Sequence, residues 1–587
     1  MQRRQVSRIR RRLQVGQYFL LFSIFLAASF LSANAQPSGA PSTSTTPWWK
    51  HAVVYEIYPR SFQDTNGDGV GDINGIIQRL DYLEKLKVNA IWLTPIYPSP
   101  LVDFGYDISN YEAIDPLYGS MADFDHLIVA ATAHHIRVIM DMVMNHTSDQ
   151  SAWFKESRSS RNNPKRNWYI WRDGKGPGIP PNNWQSAFGH SAWTYDPTTK
   201  QWYYHRFYAA QPDLNWRNPE VQKAMFNACR FWLDKGVAGF RLDAVPELFE
   251  DPQFRDEKVL PGKNDFGDPN IANNLTSNLP EVHDVMRALR KLVDSYPGNR
   301  VLIGETYLPN IQDQLAWYGG TAGNEVQLPM DMQVGLINKL DVNDFRKKIN
   351  QAETELDGYM PLFVFDNHDN VRSWDRYGDG KNNAAIARIV GAILLTTRSA
   401  ALMYYGEEIG MVTTPPKTKA EVQDPVGKTG WPKYKGRDGE RTPMQWDTGK
   451  NAGFSSAAKT WLPVAANYKT VNVQVESAQP ASLLNWYKQL IALRATDPAM
   501  LSGENIMVDS ADNNVLSYIR KNPGNGRSLL VAMNFTAQPH AVTYDLRPQG
   551  IQGRRATAVL ETGGVAKTVD LDHVVLPPFG VFIGNVQ

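Results

Sequence analysis

Three acidic residues close three separate apolar runs of this chain, and their type suits the cleavage of acetal bonds. They are Asp243 in GFRLDAV (239–245), Glu305 in VLIGET (301–306) and Asp369 in LFVFDNHD (362–369). Any one of them could simply cap a following helix. Two carboxylates brought together can break an acetal, because one attacks or stabilises the carbon while the other protonates the leaving oxygen. With a third to hold substrate hydroxyls, the set favours a carboxylate-based hydrolase.

The elements that must position these residues alternate between apolar strands and amphipathic helices. Apolar runs predict strands at 52–58, 88–95, 137–146, 239–245, 301–306, 362–369 and 401–408, with helical patterns such as 121–134, 219–235, 281–295 and 383–398 between them. Continuous apolar strands that alternate with helices predict a parallel sheet covered by helices. At least seven such units favour an α/β fold, the closed eightfold β/α (TIM) barrel, whose active site lies at the C-terminal strand ends.

Shifts in composition divide the chain into domains. The barrel is predicted to span 48–146 and 214–502, interrupted after its third strand by an inserted subdomain, 147–213, which is rich in Trp, Asn, Pro and Gly. From 503 to 587 the pattern becomes all-β, which predicts a C-terminal sandwich.

The N-terminus carries a targeting pattern. Six arginines lie within the first twelve residues, an apolar run covers 18–31, and Ala33-x-Ala35 follows as a small-residue cleavage pattern. We expect a signal peptide, 1–35, and a polar linker, 36–47; the alternative is an uncleaved anchor. The single cysteine, Cys229, allows no intramolecular disulfide and is expected to be a buried apolar residue. A disulfide-free exported protein of this size suggests a periplasmic or secreted protein without membrane attachment after cleavage.

The charge balance excludes a general nucleic-acid-binding protein. The formal net charge is +1, and removing the six arginines of residues 1–35 leaves 55 basic against 60 acidic residues, or −5. A hydrophobic content of 42% over 587 residues excludes a disordered chain. Small molecules are therefore the expected partners, and we expect a monomer or homodimer.

Eight sequence blocks resemble the α-amylase superfamily of glycoside hydrolases, and within it the α-glucosidase and oligo-1,6-glucosidase branch. In family order they are VVYEIYPRSFQDTNGDGVGD (53–72), FGYDISNY (104–111), DMVMNH (141–146), QPDLNW (211–216), GFRLDAV (239–245), GET (304–306), NHD (367–369) and GRDGERTPMQWD (436–447). QPDLN and RTPMQWD are typical of exo-acting glucosidases rather than endo-amylases. The resemblance therefore implies an α-glucosidase that releases glucose from the non-reducing end of maltose and short α-1,4 oligosaccharides.

The resemblance also implies a role for each matching carboxylate. Asp243 matches the nucleophile that forms a covalent glycosyl-enzyme, and Glu305 matches the general acid/base. Asp369 matches the carboxylate that holds the 2- and 3-hydroxyls of the sugar in the transition state. Enzymes of this branch retain the anomeric configuration, which places acid and nucleophile about 5–5.5 Å apart.

Other matching residues are expected to surround the terminal glucose. These are Asp103, Tyr106, His146 and His368, with Tyr106 stacking on the sugar ring; His146 taken alone would instead suggest a satisfied core histidine. Arg241 lies two residues before Asp243, on the same face of the strand, and can keep the nucleophile ionised. An arginine of GRDGERTP, either Arg437 or Arg441, is expected to pair with Asp103 and close the pocket.

One loop has the oxygen spacing of a calcium site. Asp64, Asn66, Asp68 and Asp72 supply side-chain oxygens, Val70 can offer its carbonyl, and Gly69 permits the tight turn. The twelfth position is Gly75 instead of the bidentate glutamate of an EF-hand, so an acidic turn without metal is the alternative. The match to the family motif favours a structural Ca²⁺, while catalysis itself needs no cofactor.

Ala244, which follows the nucleophile, is expected to influence linkage preference. In similar glucosidases valine here accompanies α-1,6 cleavage, and a small residue or threonine accompanies α-1,4 cleavage. We therefore expect a preference for maltose over isomaltose, and an Ala244→Val change that alters this ratio with stability little changed. Ala244 could instead merely pack beside the strand.

Two other functions stay open at this point. The glucosyl-enzyme could pass its sugar to another sugar, as in trehalose synthases, sucrose isomerases and transglucosidases. The barrel could also be a non-enzymatic module, like the amino-acid transporter heavy chains. That class lacks the catalytic carboxylates, whereas this chain has all three.

Overall fold

The computed structural model describes residues 46–508, 511–523 and 527–587, and all the elements below belong to one compact unit, Trp48–Gln587. The predicted signal peptide and most of the predicted linker lie outside the described residues. Within those residues, no helix combines the length and the apolarity needed to cross a membrane.

Eight parallel strands close into the predicted barrel, each hydrogen-bonded to its neighbours in chain order. The strands are β1 (Val53–Ile57), β2 (Ala90–Leu93), β3 (Arg137–Val143), β4 (Gly239–Asp243), β5 (Val301–Gly304), β6 (Leu328–Asp331), β7 (Leu362–Val364) and β8 (Ala400–Tyr404). Their residues are almost all buried, as expected for strands covered on both faces. The α/β barrel fold is therefore confirmed, including β6, which the apolar pattern did not reveal.

A helix on the outside of the barrel follows each barrel strand along the chain. These helices are α1 (Leu80–Leu86), α2 (Met121–Ala133), α3 (Pro219–Asp234), α4 (Glu281–Asp294), α5 (Ile311–Trp317), α6 (Val342–Glu355), α7 (Asn383–Thr396) and α8 (Leu483–Thr496). Helix α4 shows why they form: Val282, Val285, Met286 and Leu289 recur at helical spacing and are all buried against the barrel.

A close backbone approach aligns β4 with β5, the two strands that lead to the candidate catalytic pair. Gly239 opens β4 with a φ of +149°, and a Cβ built there would lie 1.9 Å from the carbonyl oxygen of Val301. Only glycine fits at this position. The register then pairs Leu242 with Gly304, so the two strands end side by side.

A small subdomain follows β3. It contains the helix Ala152–Ser159 and a three-stranded antiparallel sheet formed by Trp171–Arg172, Gln201–Tyr204 and Trp193–Asp196. Its core is aromatic, with Trp184, Trp193 and Tyr204 packed together. The loop after β4 also carries an exposed hairpin, Val259–Lys263 and Pro269–Ile271, which the sequence did not suggest.

The C-terminal region is all-β, as predicted. Its strands are β9 (Glu504–Val508), β10 (Val515–Lys521), β11 (Ser528–Asn534), β12 (His540–Val542), β13 (Arg555–Glu561), β14 (Thr568–Asp570), β15 (Val574–Leu576) and β16 (Val581–Val586). Six of them form one antiparallel sheet, while β12 and β15 form a second pair that shares its apolar cluster. The domain boundaries assigned from the sequence stay predictions.

Candidate active site

A cavity of about 270 Å³ opens at the C-terminal ends of the barrel strands. Nine of the eleven residues predicted for catalysis or substrate binding line it: Asp103, Tyr106, His146, Asp243, Ala244, Glu305, His368, Asp369 and Arg437. The other two, Arg241 and Arg441, are fully buried behind its wall. The fold therefore gathers residues that are up to 334 positions apart in the chain.

Arg241 connects the two carboxylates proposed to act on the substrate. Its Nη1 donates to Asp243 Oδ1 at 2.6 Å, and its Nη2 lies 2.6 Å from Glu305 Oε1. Nη1 also donates to both oxygens of Asp141, at 3.1 Å each. Because one guanidinium contacts both carboxylates, Asp243 and Glu305 face each other across one side chain, an arrangement compatible with the short separation of retaining enzymes.

The backbone turns sharply at the residue after Asp243. Ala244 has a φ of +44° and a ψ of +35°, the left-handed region that residues other than glycine seldom adopt. In this conformation its N–H donates to Glu305 Oε2 at 2.8 Å. The strained turn thus anchors the second carboxylate. Because a β-branched residue disfavours this conformation, we now expect Ala244→Val to lower stability rather than leave it little changed.

Two arginines hold Asp369 on the opposite wall. Asp369 Oδ1 accepts from Arg437 Nη1 at 3.0 Å and from Arg441 Nη2 at 2.8 Å. Arg437 Nη2 also donates to Asp103 Oδ1 at 2.7 Å, whereas Arg441 donates to the carbonyl of His368. The arginine that pairs with Asp103 is therefore Arg437, and this pair closes one end of the cavity.

The predicted stacking residue is already packed against another ring. Tyr106 stacks on His368 with their ring centres 5.3 Å apart and their planes within 9°. Its hydroxyl donates to Asp141 Oδ2 at 2.9 Å. Tyr106 lines the cavity, and its contact with a bound sugar stays a prediction.

His146 lies at the cavity in its neutral form. Burial lowers its pKa to about 4, and its Nε2 lies 3.1 Å from the carbonyl of Tyr106. Gln211, from the QPDLN block, approaches the same nitrogen at 3.1 Å and donates to Asp103 Oδ2 at 3.1 Å. His146 therefore satisfies both readings of the sequence, since it is a buried, partnered histidine that also lines the cavity.

Burial and neighbouring charge set the protonation of the three carboxylates. Burial raises the pKa of Glu305 to about 7. Burial also raises the pKa of Asp243, while Arg241 opposes that rise. At Asp369 the rise from burial is more than offset by His368, Arg437 and Arg441, which hold its pKa well below the usual range.

Several cavity residues were not singled out from the sequence. Arg206 and Glu247 form an ion pair at 2.9 Å, and aromatic side chains line the cavity beside them; these are Phe188, Phe207, Tyr307 and Tyr434. Glu247 follows Ala244 by three residues, so its position just past β4 could have identified it as a residue of the cavity. Arg206 and the aromatic residues of the subdomain carried no signal, because such residues also build its core.

The loop Asp64–Asp72, which has the oxygen spacing of a calcium site, is held by hydrogen bonds between its own side-chain oxygens and backbone N–H groups. Asp64 Oδ1 accepts the N–H of Asn66, Asn66 Oδ1 accepts that of Asp68, and Asp68 Oδ1 accepts that of Val70. Asp72 caps the helix Ile73–Gln78 by accepting the N–H of Gly75. Within the described residues, none of its three carboxylates has a basic side chain within 4.0 Å.

Comparison with known proteins places these features in a family. A family model described as the catalytic domain of α-amylase matches residues 56–503. The chain is 37% identical over 549 residues to a probable α-glucosidase of Rhizobium meliloti, covering 92% of this chain and 97% of that protein. It is 39% identical over 521 residues to an oligo-1,6-glucosidase of Parageobacillus thermoglucosidasius, covering 83% and 90% respectively.

Solved structures with the same fold include a glucosyl transfer enzyme and an isomaltulose synthase. An α-glucosyl transfer enzyme superposes with a TM-score of 0.84 at 38% identity, covering 92% of this chain and all of that one. An isomaltulose synthase variant of Erwinia rhapontici, in complex with sucrose, gives a TM-score of 0.84 at 34% identity, covering 93% of this chain and all of that one.

Proposed function

This chain belongs to the α-amylase family of glycoside hydrolases, and from that premise we propose that it is an exo-acting, retaining α-glucosidase. Its substrates are maltose and short α-1,4-glucooligosaccharides, from which it releases glucose at the non-reducing end. The observation that carries the proposal is the contact of one guanidinium, Arg241, with both Asp243 and Glu305.

The geometry supports a double-displacement mechanism. Asp243 attacks the anomeric carbon, and Glu305, whose raised pKa favours the protonated form near neutrality, gives its proton to the leaving oxygen. Glu305 then takes a proton from water as water releases the glucosyl group from Asp243. Asp369, kept ionised by its two arginines, holds the sugar hydroxyls throughout.

The closed end of the cavity supports exo-action. Arg437 ties Asp103 to Asp369 at one end, so a chain of sugars would enter with only its terminal unit past the carboxylates. Ala244 lines the cavity directly after Asp243, and its small side chain supports the proposed preference for α-1,4 linkages.

The alternative is that the enzyme transfers glucose to a second sugar. Its similarity to a glucosyl transfer enzyme and to an isomaltulose synthase supports this alternative. Both reactions share the glucosyl-enzyme and differ in whether water or a sugar receives the glucose. Incubation with maltose, and separately with sucrose, followed by product chromatography distinguishes them. Glucose from maltose without new oligosaccharides supports hydrolysis, whereas new disaccharides support transfer or isomerisation. No product from either would indicate a non-enzymatic module.

We also propose that the loop Asp64–Asp72 binds a structural Ca²⁺ through Asp64, Asn66, Asp68, the Val70 carbonyl and Asp72. Three carboxylates without a basic partner support this, because a divalent cation would balance their charge. At a hundredfold excess over Kd, bound calcium adds about 2.7 kcal/mol to the free energy of unfolding. Chelation by EDTA should therefore lower Tm, and Asp68→Ala should abolish that sensitivity.

A second acidic group provides the control for the calcium experiment. Among the described residues, Asp81, Glu84 and His134 bring three ligand atoms within 4.8 Å of one another. Asp81→Ala should leave the response to EDTA intact. If EDTA does not change Tm and elemental analysis finds no metal, the loop is only an acidic turn.

We further propose that residues 1–35 direct export to the periplasm or medium, where the enzyme acts as a monomer or homodimer. The arginine-rich start, the apolar run and Ala33-x-Ala35 support export. N-terminal sequencing of the mature protein should begin at Gln36, and an intact N-terminus in a membrane fraction would indicate an anchor.

A further inference from the structure

A buried glutamate of the first strand lies behind the sugar-holding wall of the cavity. Glu56, on β1, is fully buried and contacts Nδ1 of His368 through its Oε1 at 2.6 Å. His368 Nε2, on the other side of the ring, lies 3.3 Å from Oδ2 of Asp369. The imidazole therefore lies between two carboxyl groups, one on each ring nitrogen.

The charges around Glu56 distinguish it from its neighbours. Six other carboxylates at this end of the barrel each contact a guanidinium: Asp103, Asp141, Asp243, Glu305, Asp369 and Asp424. Within the described residues, His368 is the one basic side chain within 4.0 Å of Glu56. Its Oε2 is buried without a hydrogen-bond partner. Among the described residues, no lysine or arginine therefore lies within 4.0 Å of Glu56, and Arg241 only partly opposes, from farther away, the rise in its pKa that burial causes.

Proton counting restricts what this arrangement can be. A lone pair on His368 Nε2 would face the ionised Asp369 and repel it, so Nε2 must carry a proton. If the ring is neutral, Nδ1 is then an acceptor and Glu56 must be protonated to donate to it. If the ring is charged, Glu56 is ionised. In both cases Glu56 and His368 together hold one proton more than a carboxylate with a neutral imidazole.

We propose that Glu56 is a positioning residue that keeps a proton on Nε2 of His368, so that this nitrogen donates to Asp369 in the free enzyme and to the sugar hydroxyl beside it when glucose is bound. The inference rests on the proposed function, because it assigns the hydroxyl to a bound glucose. Glu56 acts only through His368 and does not line the cavity.

The surroundings of Glu56 and His368 favour the form in which both side chains are neutral. Burial raises the pKa of Glu56 and lowers that of His368, and both directions place the shared proton on Glu56. The other charged or titratable groups that face the pair are Tyr58, Tyr106, Asp141, Arg241, Asp369, Tyr404, Tyr405, Arg437 and Arg441. Loss of the shared proton at alkaline pH would leave a lone pair on Nε2 and weaken sugar binding.

Glu56→Gln tests this directly. A glutamine amide can donate to Nδ1 but cannot lose its proton, so Nε2 of His368 should stay protonated at every pH. With α-glucosyl fluoride, whose leaving group needs no proton from Glu305, the alkaline fall in kcat/KM reports the binding groups. We expect Glu56→Gln to keep activity within about threefold near neutrality and to move this fall to higher pH. Glu56→Leu, which cannot donate, should raise KM at least tenfold at all pH values.

The matched control is Glu408→Gln. Glu408 is also fully buried and is held by the hydroxyls of Tyr55 and Tyr82, away from His368. Glu408→Gln should leave the alkaline fall in kcat/KM at the same pH as in the wild type. Tm measurements on all variants will identify any that fail to fold. The proposal would be overturned if the alkaline fall in kcat/KM of Glu56→Gln stayed at the wild-type pH, or if Glu56→Gln and Glu56→Leu lost activity equally.

A readout without turnover separates this inference from the proposed function. Protein labelled with ¹⁵N-histidine should show a protonated Nε2 signal that disappears in His368→Gln, which assigns it. The signal should persist to higher pH in Glu56→Gln than in the wild type. If it does while maltose is not cleaved, the proposed function fails but the protonation holds. Absence of an Nε2 proton in the wild type overturns the inference.

Discussion

Arginine side chains have opposite effects on the two walls of the cavity. On the β4–β5 wall, one arginine serves three carboxylates, and burial raises the pKa of Glu305 to about 7. On the opposite wall, two arginines serve Asp369, whose pKa is held well below its usual range. Asp369 contacts two guanidinium groups, whereas Asp243 and Glu305 share one, and this difference decides which wall can hold a proton for transfer and which holds a permanent charge.

The largest expected effect comes from removing the reactive carboxylates. Asp243→Asn and Glu305→Gln should each lower kcat for maltose by about a thousandfold or more, because each removes a separate covalent or proton-transfer step. Both are near-isosteric, so Tm should change little. Azide should restore turnover only to small replacements such as Asp243→Gly. Hydrolysis of p-nitrophenyl α-glucoside by Asp243→Asn at the wild-type rate would refute the assignment.

Removing an arginine from the opposite wall should make the two walls more alike. Arg437→Met takes a cation from Asp369 and leaves Asp103 without its ion-pair partner. We expect kcat/KM for maltose to fall about a hundredfold, mainly through KM, with a loss of about 3–5 kcal/mol in the free energy of unfolding. Arg398→Met, which breaks an ion pair with Glu353 far from the cavity, should cost stability without changing KM. Equal KM values in both variants would contradict the role of Arg437.

The sequence predicted the reactive wall more completely than the opposite wall. Asp243 and Glu305 end apolar strands, and that local signal was sufficient to place them. Asp369 lies five residues beyond β7, which ends at Val364, so its position depends on a loop. The choice between Arg437 and Arg441 needed the folded chain, since both lie in one block and only tertiary contacts distinguish them.

The remaining omissions in the fold have a similar physical cause. Strand β6 (Leu328–Asp331) contains Pro329, a residue that rarely occurs inside a central strand, so the sequence pattern does not identify it. Glu56 was read as part of an apolar strand, and its contact with His368 joins residues 312 positions apart. Pairings of that range are invisible to local periodicity.

The pH dependence should report the reactive wall. Glu305 must be protonated to act as an acid, and with a pKa of about 7 it loses that proton above neutrality. We expect kcat/KM for maltose to fall about fiftyfold between about pH 7 and pH 9, following one ionisation. Because its folded pKa exceeds the ordinary value of 4.5, its contribution to stability is complete below that value and is lost as pH rises through about 7. A flat profile up to pH 9 would contradict Glu305 as the acid.

The smallest expected effect comes from Ala244→Val, which changes one wall of the cavity without altering any charge. Ala244 lies on the reactive wall, and its N–H donates to Glu305. Valine would add two methyl groups on the leaving-group side, worth about 1–1.5 kcal/mol, or roughly tenfold in kcat/KM. We therefore expect wild-type enzyme to prefer maltose over isomaltose, and Ala244→Val to shift that ratio about tenfold toward isomaltose by slowing maltose turnover.

Backbone strain complicates this substitution and supplies its control. At a φ of +44° a β-branched residue adds strain of about 1–3 kcal/mol, so Tm should fall as well. Ala244→Ser is small and unbranched, so it tests the turn without filling the leaving-group space and should keep the wild-type ratio. The decisive measurement is kcat/KM for maltose over isomaltose in all three proteins. If valine slows both substrates alike, Ala244 only shapes the turn that holds Glu305, and a wild-type ratio below one would overturn the α-1,4 preference itself.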